Sequence, residues 1–553
     1  MSANQPTQPN ANALYYGDNL GILREHIKDE SVDLVYLDPP FNSARDYNVL
    51  FASPKGKQSE AQIVAFKDSW HWEEQAEHEY SEIVRGQNTD VALMIKALRQ
   101  FLGENDMMAY LVMMTNRLLE LHRAMKQTGS LYLHCDRTAS HYLKIVLDAV
   151  FGKENFRSEI VWKRRTGSSS RVHESTRFQT DTDSIFFYAK SALAPFTPQY
   201  TMNAEGYSVY LDKFFKYSDA NGRKYRLADL ANPSPRPNLM YEYKGYKPPK
   251  NGWAISLEKM QLWDAEGRLY FPANKEGRIQ RKRFLDEVKG KPVQGLWDDI
   301  EPIGAHAAER LGYPTQKPLA LLERIVNASS REGDVVLDPF CGCGTAVHAA
   351  QKLKRQWIGI DITHLAITLI EKRLKDAFPE IGFEVHGTPK DLEGAMDLAR
   401  RDKYQFQWWA CSLVNAQPYQ GKKKGADGGI DGLIFFLDDT KEHRKIVVSV
   451  KGGDNVSVAM VRDLIGVLER EEAEIGLFIT LTQPTRPMIT EAVKAGYYTS
   501  TVTGKDFRKL QILTIAGLLS GNEKAEYPDL ARGATTFKKA RVEAKTGKQG
   551  DMF

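Results

Sequence analysis

The run Val-Val-Leu-Asp-Pro-Phe-Cys-Gly-Cys-Gly-Thr at residues 335–345 leaves the backbone few choices. Val335 to Leu337 reads as a short apolar strand that delivers Asp338. Gly342 and Gly344 then alternate before a helix opening near Thr345. Glycines in such a turn let the backbone approach a ligand closely, and the first amides of the helix add N–H donors. Shortly afterwards Trp-Ile-Gly-Ile-Asp-Ile (357–362) offers another strand that ends at Asp361. An acid at that position commonly binds ribose hydroxyls in doubly wound folds. Taken alone, the glycine turn is equally consistent with an ordinary tight turn in a sheet.

A second strand end is just as constrained. Val35 to Leu37 reads as a buried strand, and Pro39 and Pro40 then end any ladder, because proline supplies no N–H and fixes φ. An acid, Asp38, followed by so stiff a loop and by Phe41 and Asn42, suggests that something is held there. Further strands read at 129–136 and 183–190. Residues 139–152 read as a helix with Leu143, Val146, Leu147 and Val150 on one face and Gly152 at its end. Such alternation predicts an α/β architecture with a largely parallel sheet. Open sheets of this kind bind ligands beyond the carboxyl ends of their strands, so both acid-bearing turns are expected to converge on one crevice.

With 553 residues the chain is long enough for about three to four domains. A net charge of +4 permits a polyanionic partner without demanding one. The four cysteines, Cys135, Cys341, Cys343 and Cys411, form no C-x-x-C pair, so neither a zinc site nor a disulfide framework is indicated. The polar N-terminal run lacks the features of a signal peptide, and no stretch approaches the roughly 18 apolar residues of a membrane span. The expectation is a soluble, cytoplasmic protein with no membrane partner.

Together these motifs resemble those of the S-adenosylmethionine-dependent DNA amino methyltransferases, which carry D-P-P-[YF] loops and a D-x-F-x-G-x-G-like turn. Here the loop is Asp38-Pro39-Pro40-Phe41 and the turn is D-P-F-C-G-C-G-T, and 15–19, 129–136, 159–164 and 312–325 fall where that family has accessory motifs. The loop precedes the turn, with a recognition-like segment between, which resembles the circularly permuted β group. The resemblance implies a doubly wound, Rossmann-like methyltransferase sheet with an inserted target-recognition domain. It also implies S-adenosylmethionine as cofactor, held by Asp18, Lys317, Pro318, Phe340, Gly342, Gly344, Thr345 and Asp361, with Asp338 beside it. Double-stranded DNA is the implied partner.

The loop residues suit that chemistry. Adenine's exocyclic amine is a poor nucleophile because its lone pair is delocalised into the ring. Asp38 and the Pro39 carbonyl can accept its two N–H bonds and aim the lone pair at a methyl donor, while Phe41 stacks on the base. The target base must flip out of the duplex. No Pro-Cys pair exists to support C5-cytosine chemistry. Within the family an Asp in first place leans towards N6-adenine, with N4-cytosine the alternative.

The remaining segments complete the expected layout: a disordered tail (1–13), a catalytic region (14–194), a target-recognition domain (195–305), a cofactor-binding region (306–390), a C-terminal α/β domain (400–520) and a basic flexible tail (530–553). Candidate DNA contacts are Trp162, Lys163, Arg164 and Arg165 in a Gly/Ser-rich loop, and Arg281, Lys282 and Arg283 in the insert. In the C-terminal domain Asp431 and Lys451 resemble the D…x-x-K layout of the Mrr-like restriction endonuclease fold, which would imply Mg²⁺. Ser449 stands where that pattern has Glu or Gln; Glu469 or Glu472 could substitute or be plain surface charges. An active nuclease, a DNA-binding relic and a sensor module remain open. The resemblance also suggests a homodimer, and a separate restriction or defence subunit is a further candidate partner.

Overall fold

The computed structural model describes residues 12–40, 71–164, 178, 180–202, 207–304, 307–313, 315–419, 428–438, 443–528, 536 and 540–543, and the backbone of 45–52 and 58–68. The chain divides into two compact units, Met1–Thr197 with Gly295–Ala544, and Pro198–Gln294 with Lys545–Phe553.

The first unit is built on nine strands: β1 (Ala13–Tyr16), β2 (Val32–Leu37), β3 (Met125–Cys135), β4 (Phe156–Lys163), β5 (Thr182–Ala189), β6 (Leu296–Trp297), β7 (Val335–Asp338), β8 (Gln356–Asp361) and β9 (Glu384–His386). They lie side by side in the order β6-β4-β5-β3-β2-β7-β8-β1-β9. Only β5 runs against the rest, pairing antiparallel with both β3 and β4. Every residue of β2 is buried, as a parallel strand covered by helices on both faces requires. The covering helices include α1 (Asn19–His26), α2 (Asp106–Ala124), α3 (Leu319–Ser329), α4 (Thr345–Lys352) and α5 (His364–Ala377). In α5 the stripe Ala366, Ile370, Leu374 and Ala377 is buried.

A second sheet in the same unit comprises β10 (Gln417–Pro418), β11 (Gly432–Leu437), β12 (His443–Lys451), β13 (Ile475–Thr480) and β14 (Leu510–Thr514), in that order. Its two faces bury different residues of β12. Ile446, Val448 and Val450 meet helices α6 (Leu392–Arg401) and α7 (Lys403–Leu413), whereas Val447 meets α8 (Val458–Arg470). This period of two is the signature of a doubly covered sheet.

The second unit carries a four-stranded sheet ordered Leu269–Tyr270, Gln280–Phe284, Lys224–Asp229, Tyr217–Ser218. Its own core gathers Trp253, Tyr243, Tyr246 and Met260.

Several boundaries differ from expectation. The insert ends at Gln294: Gly295 onward belongs to the first unit, where β6 pairs with β4 and extends the large sheet. Asn12 and Ala13 are not tail: Asn12 accepts the Trp357 N–H at 3.0 Å and Ala13 pairs in β1. The expected C-terminal tail is likewise anchored at two points. Thr536 bonds the backbone of Phe435, and Glu543 accepts from His348 and lies 3.2 Å from Lys352. Among the described residues no helix is long and apolar enough to cross a membrane. All four cysteines are free and buried.

Candidate active site

Strands β2 and β7 are neighbours, with Leu34 opposite Val336. From β2 the chain crosses to β3 on one side, and from β7 it crosses to β8 on the other. Such a reversal opens a crevice beyond the carboxyl ends of the two strands. Asp38 follows β2, Asp338 and Asp361 end β7 and β8, and Asp18 follows β1. A cavity of about 280 Å³ lies there. Its walls include Asp18, Asp38, Pro39, Pro40, Lys317, Asp338, Phe340, Gly342, Thr345 and Asp361. Two expected cofactor residues stand behind the wall: Pro318 caps α3, and Gly344 caps α4 with φ +72°, where a Cβ would meet Ile370 at 2.8 Å. Phe41 lies outside the described residues.

The glycine turn is tied to Asp361. Gly342 has φ +50° and donates its N–H to Asp361 Oδ2 at 2.9 Å; a Cβ there would come within 3.1 Å of the Tyr313 ring. Asp361 Oδ1 accepts both the N–H and the hydroxyl of Thr363, each at 2.9 Å, and Thr363 in turn caps α5. Burial pushes the Asp361 carboxyl up to about 6, against the pull of these bonds. Oδ2 retains a lone pair for a further donor, such as a ribose hydroxyl. Glycines without side chains, an acceptor on the next strand and a helix start at Thr345 together fit a nucleoside-bearing cofactor such as S-adenosylmethionine.

Opposite this turn, Lys317 Nζ donates to Asp38 Oδ2, and both side chains are largely buried. Lys317 was expected around the cofactor; it lines that cavity while its ammonium is bonded to the loop acid. Burial drives the Asp338 carboxyl well above its ordinary range, and its Oδ1 accepts the Phe340 N–H at 3.1 Å.

Beneath the loop, Tyr36 Oη and His134 Nδ1 are 3.2 Å apart, and His134 Nε2 lies 3.2 Å from Asp183. Asp183 pairs with Arg164 at 3.0 Å. Burial lowers the His134 pKa, favouring a neutral ring. Burial pushes the Asp183 carboxyl up, but the His134 bond and the Arg164 and Lys317 charges outweigh it and hold it below the usual range.

In the second sheet Asp431 leads into β11 and Lys451 ends β12. The Asp431 carboxylate turns inward: its Oδ2 accepts the Val450 N–H at 2.6 Å and the Ser449 hydroxyl at 3.5 Å. Glu472 lies beside Glu474, whose N–H bonds the Lys445 carbonyl, and Glu471 is 3.5 Å from Lys445. Lys445 is near the start of β12, about 20 Å from Lys451 at some 3.3 Å per residue. Glu472 therefore does not supply the missing ligand at the Lys451 end, and Glu469 is an exposed residue of the last turn of α8. Among the described residues no group of three or more His, Cys, Asp or Glu side chains could hold a metal. Among the described residues the donor set, one inward-turned carboxylate beside Ser449, does not fit a Mg²⁺ centre.

Residues 32–372 match the N6/N4 DNA methylase family. This chain belongs to it. Residues 398–510 of the methylase match the Mrr catalytic domain, a restriction endonuclease. The type II methyltransferase M.EcaI of Enterobacter cloacae is 32% identical over 268 residues, 48% of this chain and 57% of that protein. The type III restriction-modification enzyme StyLTI Mod subunit of Salmonella typhimurium is 26% identical over 365 residues, 62% of this chain and 50% of that protein. The DNA adenine methyltransferase YhdJ of Escherichia coli is 25% identical over 364 residues, 66% of this chain and 83% of that protein. The methylase spans about half the length of M.EcaI and StyLTI Mod.

The expected DNA contacts of the methylase fare unevenly. Trp162 is 3% exposed and donates its Nε1–H to the Ile300 carbonyl at 2.9 Å, so it is a packing residue and not a DNA contact. Arg164 is drawn into the Asp183 pair, Lys163 is half-buried, and Arg165 lies outside the described residues. Arg281, Lys282 and Arg283 lie on a strand. Arg281 stacks over Trp263 at 4.1 Å and Lys282 over Tyr225 at 5.3 Å, leaving Arg283 the exposed member.

Other site residues of the methylase escaped the sequence reading. Arg117, 7% exposed in α2, bonds Asp18 at 2.7 Å and Asn19 at 2.5 Å, while Asn19 Nδ2 donates to the Pro339 carbonyl at 2.8 Å. This bridge joins the ends of β1 and β7. The available signal was an Arg set just beyond the long apolar run Met107–Met114 of that helix. His134 and Tyr313 sat inside motifs already noticed, but nothing in sequence assigned them a place.

Proposed function

We propose that the chain is a site-specific DNA methyltransferase that modifies the N6 amine of a flipped adenine in double-stranded DNA. One observation carries this reading: Asp38, on its proline-stiffened loop, lines the same cavity as the Gly342–Asp361 turn. A target amine and a nucleoside-bearing cofactor can therefore meet.

S-adenosylmethionine, when bound, supplies an electrophilic methyl group. Gly342, Thr345 and Asp361 hold it; Asp38 and the Pro39 carbonyl receive the two amine hydrogens and orient the nitrogen lone pair. Lys317 fixes the Asp38 carboxylate before substrate arrives, so little reorganisation remains during transfer. The Tyr36–His134–Asp183 chain stiffens the strand that carries the loop.

The adenine reading is further supported by the name of YhdJ, a DNA adenine methyltransferase. A restriction-modification setting is supported by the names of M.EcaI and the StyLTI Mod subunit. A separate restriction subunit is the corresponding partner, and a homodimer the assembly to test. For the C-terminal domain the inward-turned Asp431 and Ser449 favour a DNA-binding or sensing role over cleavage. If Mg²⁺-dependent cutting occurs and Lys451→Ala abolishes it, that assignment is wrong.

The deciding test incubates the purified chain with unmethylated DNA and S-adenosylmethionine, followed by nucleoside mass spectrometry. N6-methyladenine, absent with Asp38→Ala, is expected. N4-methylcytosine would keep the clamp and change the base. No methylated base would overturn the reading.

A further inference from the structure

In the unit formed by 198–294, a second cavity of about 850 Å³ combines two chemistries on one wall. Tyr207 and Tyr210 line it from the helix Tyr207–Phe214, with ring centroids 5.6 Å apart and planes 11° from parallel. Facing them are Arg226, Arg281 and Arg283. Arg226 lies directly opposite Arg283 in the antiparallel pair, and Arg281 is two residues along on the same strand face. Like charges directly opposite one another weaken a sheet. Three guanidinium groups gathered in this way, two of them resting on aromatic rings, favour an anion beside them.

Among the described residues no acid on this wall is left over to offset them. Glu287 is the acid on the wall, and it is already bonded by Arg268 at 2.7 Å and Arg223 at 3.2 Å. Among the described residues Arg226, Arg281 and Arg283 make no ion pair within 4.0 Å with an acid. Glu287 and Glu266 act on Arg281 only from farther off, while Arg283 and Arg268 repel it, and the buried Arg281 Nε has no hydrogen-bond acceptor. Phosphate is the anion that guanidinium forks match best. The neighbouring aromatic rings ask for something flat beside that phosphate. Base stacking on tyrosine next to a basic groove is how unpaired strands are held, and it tolerates any base. The cavity volume falls within the range that holds compact organic ligands.

We propose that this cavity binds an unstacked nucleotide of DNA, with the base against Tyr207 and Tyr210 and its phosphate on Arg226 and Arg283. The inference rests on the DNA-modifying reading above only for the choice of DNA, and it assigns a site separate from the methyl-transfer cavity. Its function is to trap a nucleotide other than the one being methylated, holding a locally opened strand.

The test uses the full chain and a single-stranded oligodeoxynucleotide carrying 5-iodouracil, with photo-crosslinking mapped by mass spectrometry and affinity followed against salt. A crosslink on Tyr207 or Tyr210 is expected. Tyr210→Ala should lose it and weaken binding about tenfold or more, while Tyr210→Phe keeps both. Arg283→Gln, at an exposed position, should lower the salt slope by about 0.7. Unchanged affinity in both Tyr210→Ala and Arg283→Gln, with no crosslink on this helix, overturns the proposal. Loss with Arg283→Gln alone overturns it in favour of a plain backbone contact. Methylated base without the crosslink defeats this inference alone, whereas the crosslink without methylated base defeats the methyl-transfer reading alone.

Discussion

Lys317 Nζ donates to Asp38 Oδ2, joining two residues 279 positions apart in the chain. The pair sets the orientation of the loop acid before any substrate is present. Lys317→Met should leave Asp38 able to rotate and lower the single-turnover methylation rate by about 100-fold, the usual penalty for losing sub-ångström alignment. Lys317→Arg should recover part of that rate. Equal rates for Lys317→Met and the parent chain would remove the positioning role.

Asp38 itself is expected to matter more for the chemical step than for binding. Asp38→Ala should slow transfer by about 100- to 1,000-fold, the range for deleting one preorganised electrostatic group. Quench-flow rates and DNA affinity measured on the same preparation separate the two effects. A large loss of DNA affinity with an unchanged rate would count against the clamp.

Acidity should act on cofactor binding through Asp361. Its carboxyl is pushed up to about 6 by burial, so it becomes neutral as pH falls through that value. If the ionised form accepts a ribose hydroxyl, S-adenosylmethionine affinity should drop by up to about tenfold per pH unit below 6 and level off above 7. On folding alone this group acts in the other sense. A raised carboxyl pKa contributes stability fully below the unfolded value, and that contribution is lost as pH rises through about 6. Calorimetry from pH 5 to 7.5 checks the binding limb, and Asp361→Asn should flatten it.

Arg117 bridges Asp18, Asn19 and the Met113 carbonyl while almost fully buried. Arg117→Ala strands Asn19 and leaves buried Glu79, 3.7 Å away, without its cation. A loss of about 3 kcal/mol in denaturant midpoint analysis is expected, together with weaker S-adenosylmethionine binding because the Pro339 segment loosens. A stability change below about 0.5 kcal/mol would show the bridge to be incidental.

Trp162 gives a prediction opposite to its sequence reading. Trp162→Ala should destabilise the chain by about 3–5 kcal/mol, as large core aromatics do. The salt dependence of DNA binding by the folded fraction should not change. A shift in that slope with no loss in melting temperature would restore Trp162 as a DNA contact.

What could be read from the chain alone was local. The D-P-P stop after β2, the two glycines before α4 and the acid ending β8 each declare themselves within a dozen residues. Proline and glycine restrict φ wherever they occur, and the period of apolar residues reports local burial. The order of the two motifs also carried the permuted topology, since it is a property of the linear string. Tertiary structure alone decided which charges face which. Lys317 meets Asp38, Arg117 crosses from α2 to the ends of β1 and β7, and Asp431 spends its carboxylate on β12. It also turned Trp162 inward and set Arg226 against Arg283. The physical reason is that the fate of an ion or an aromatic ring depends on burial and on partners brought together by folding, and neither is encoded within its own few neighbours.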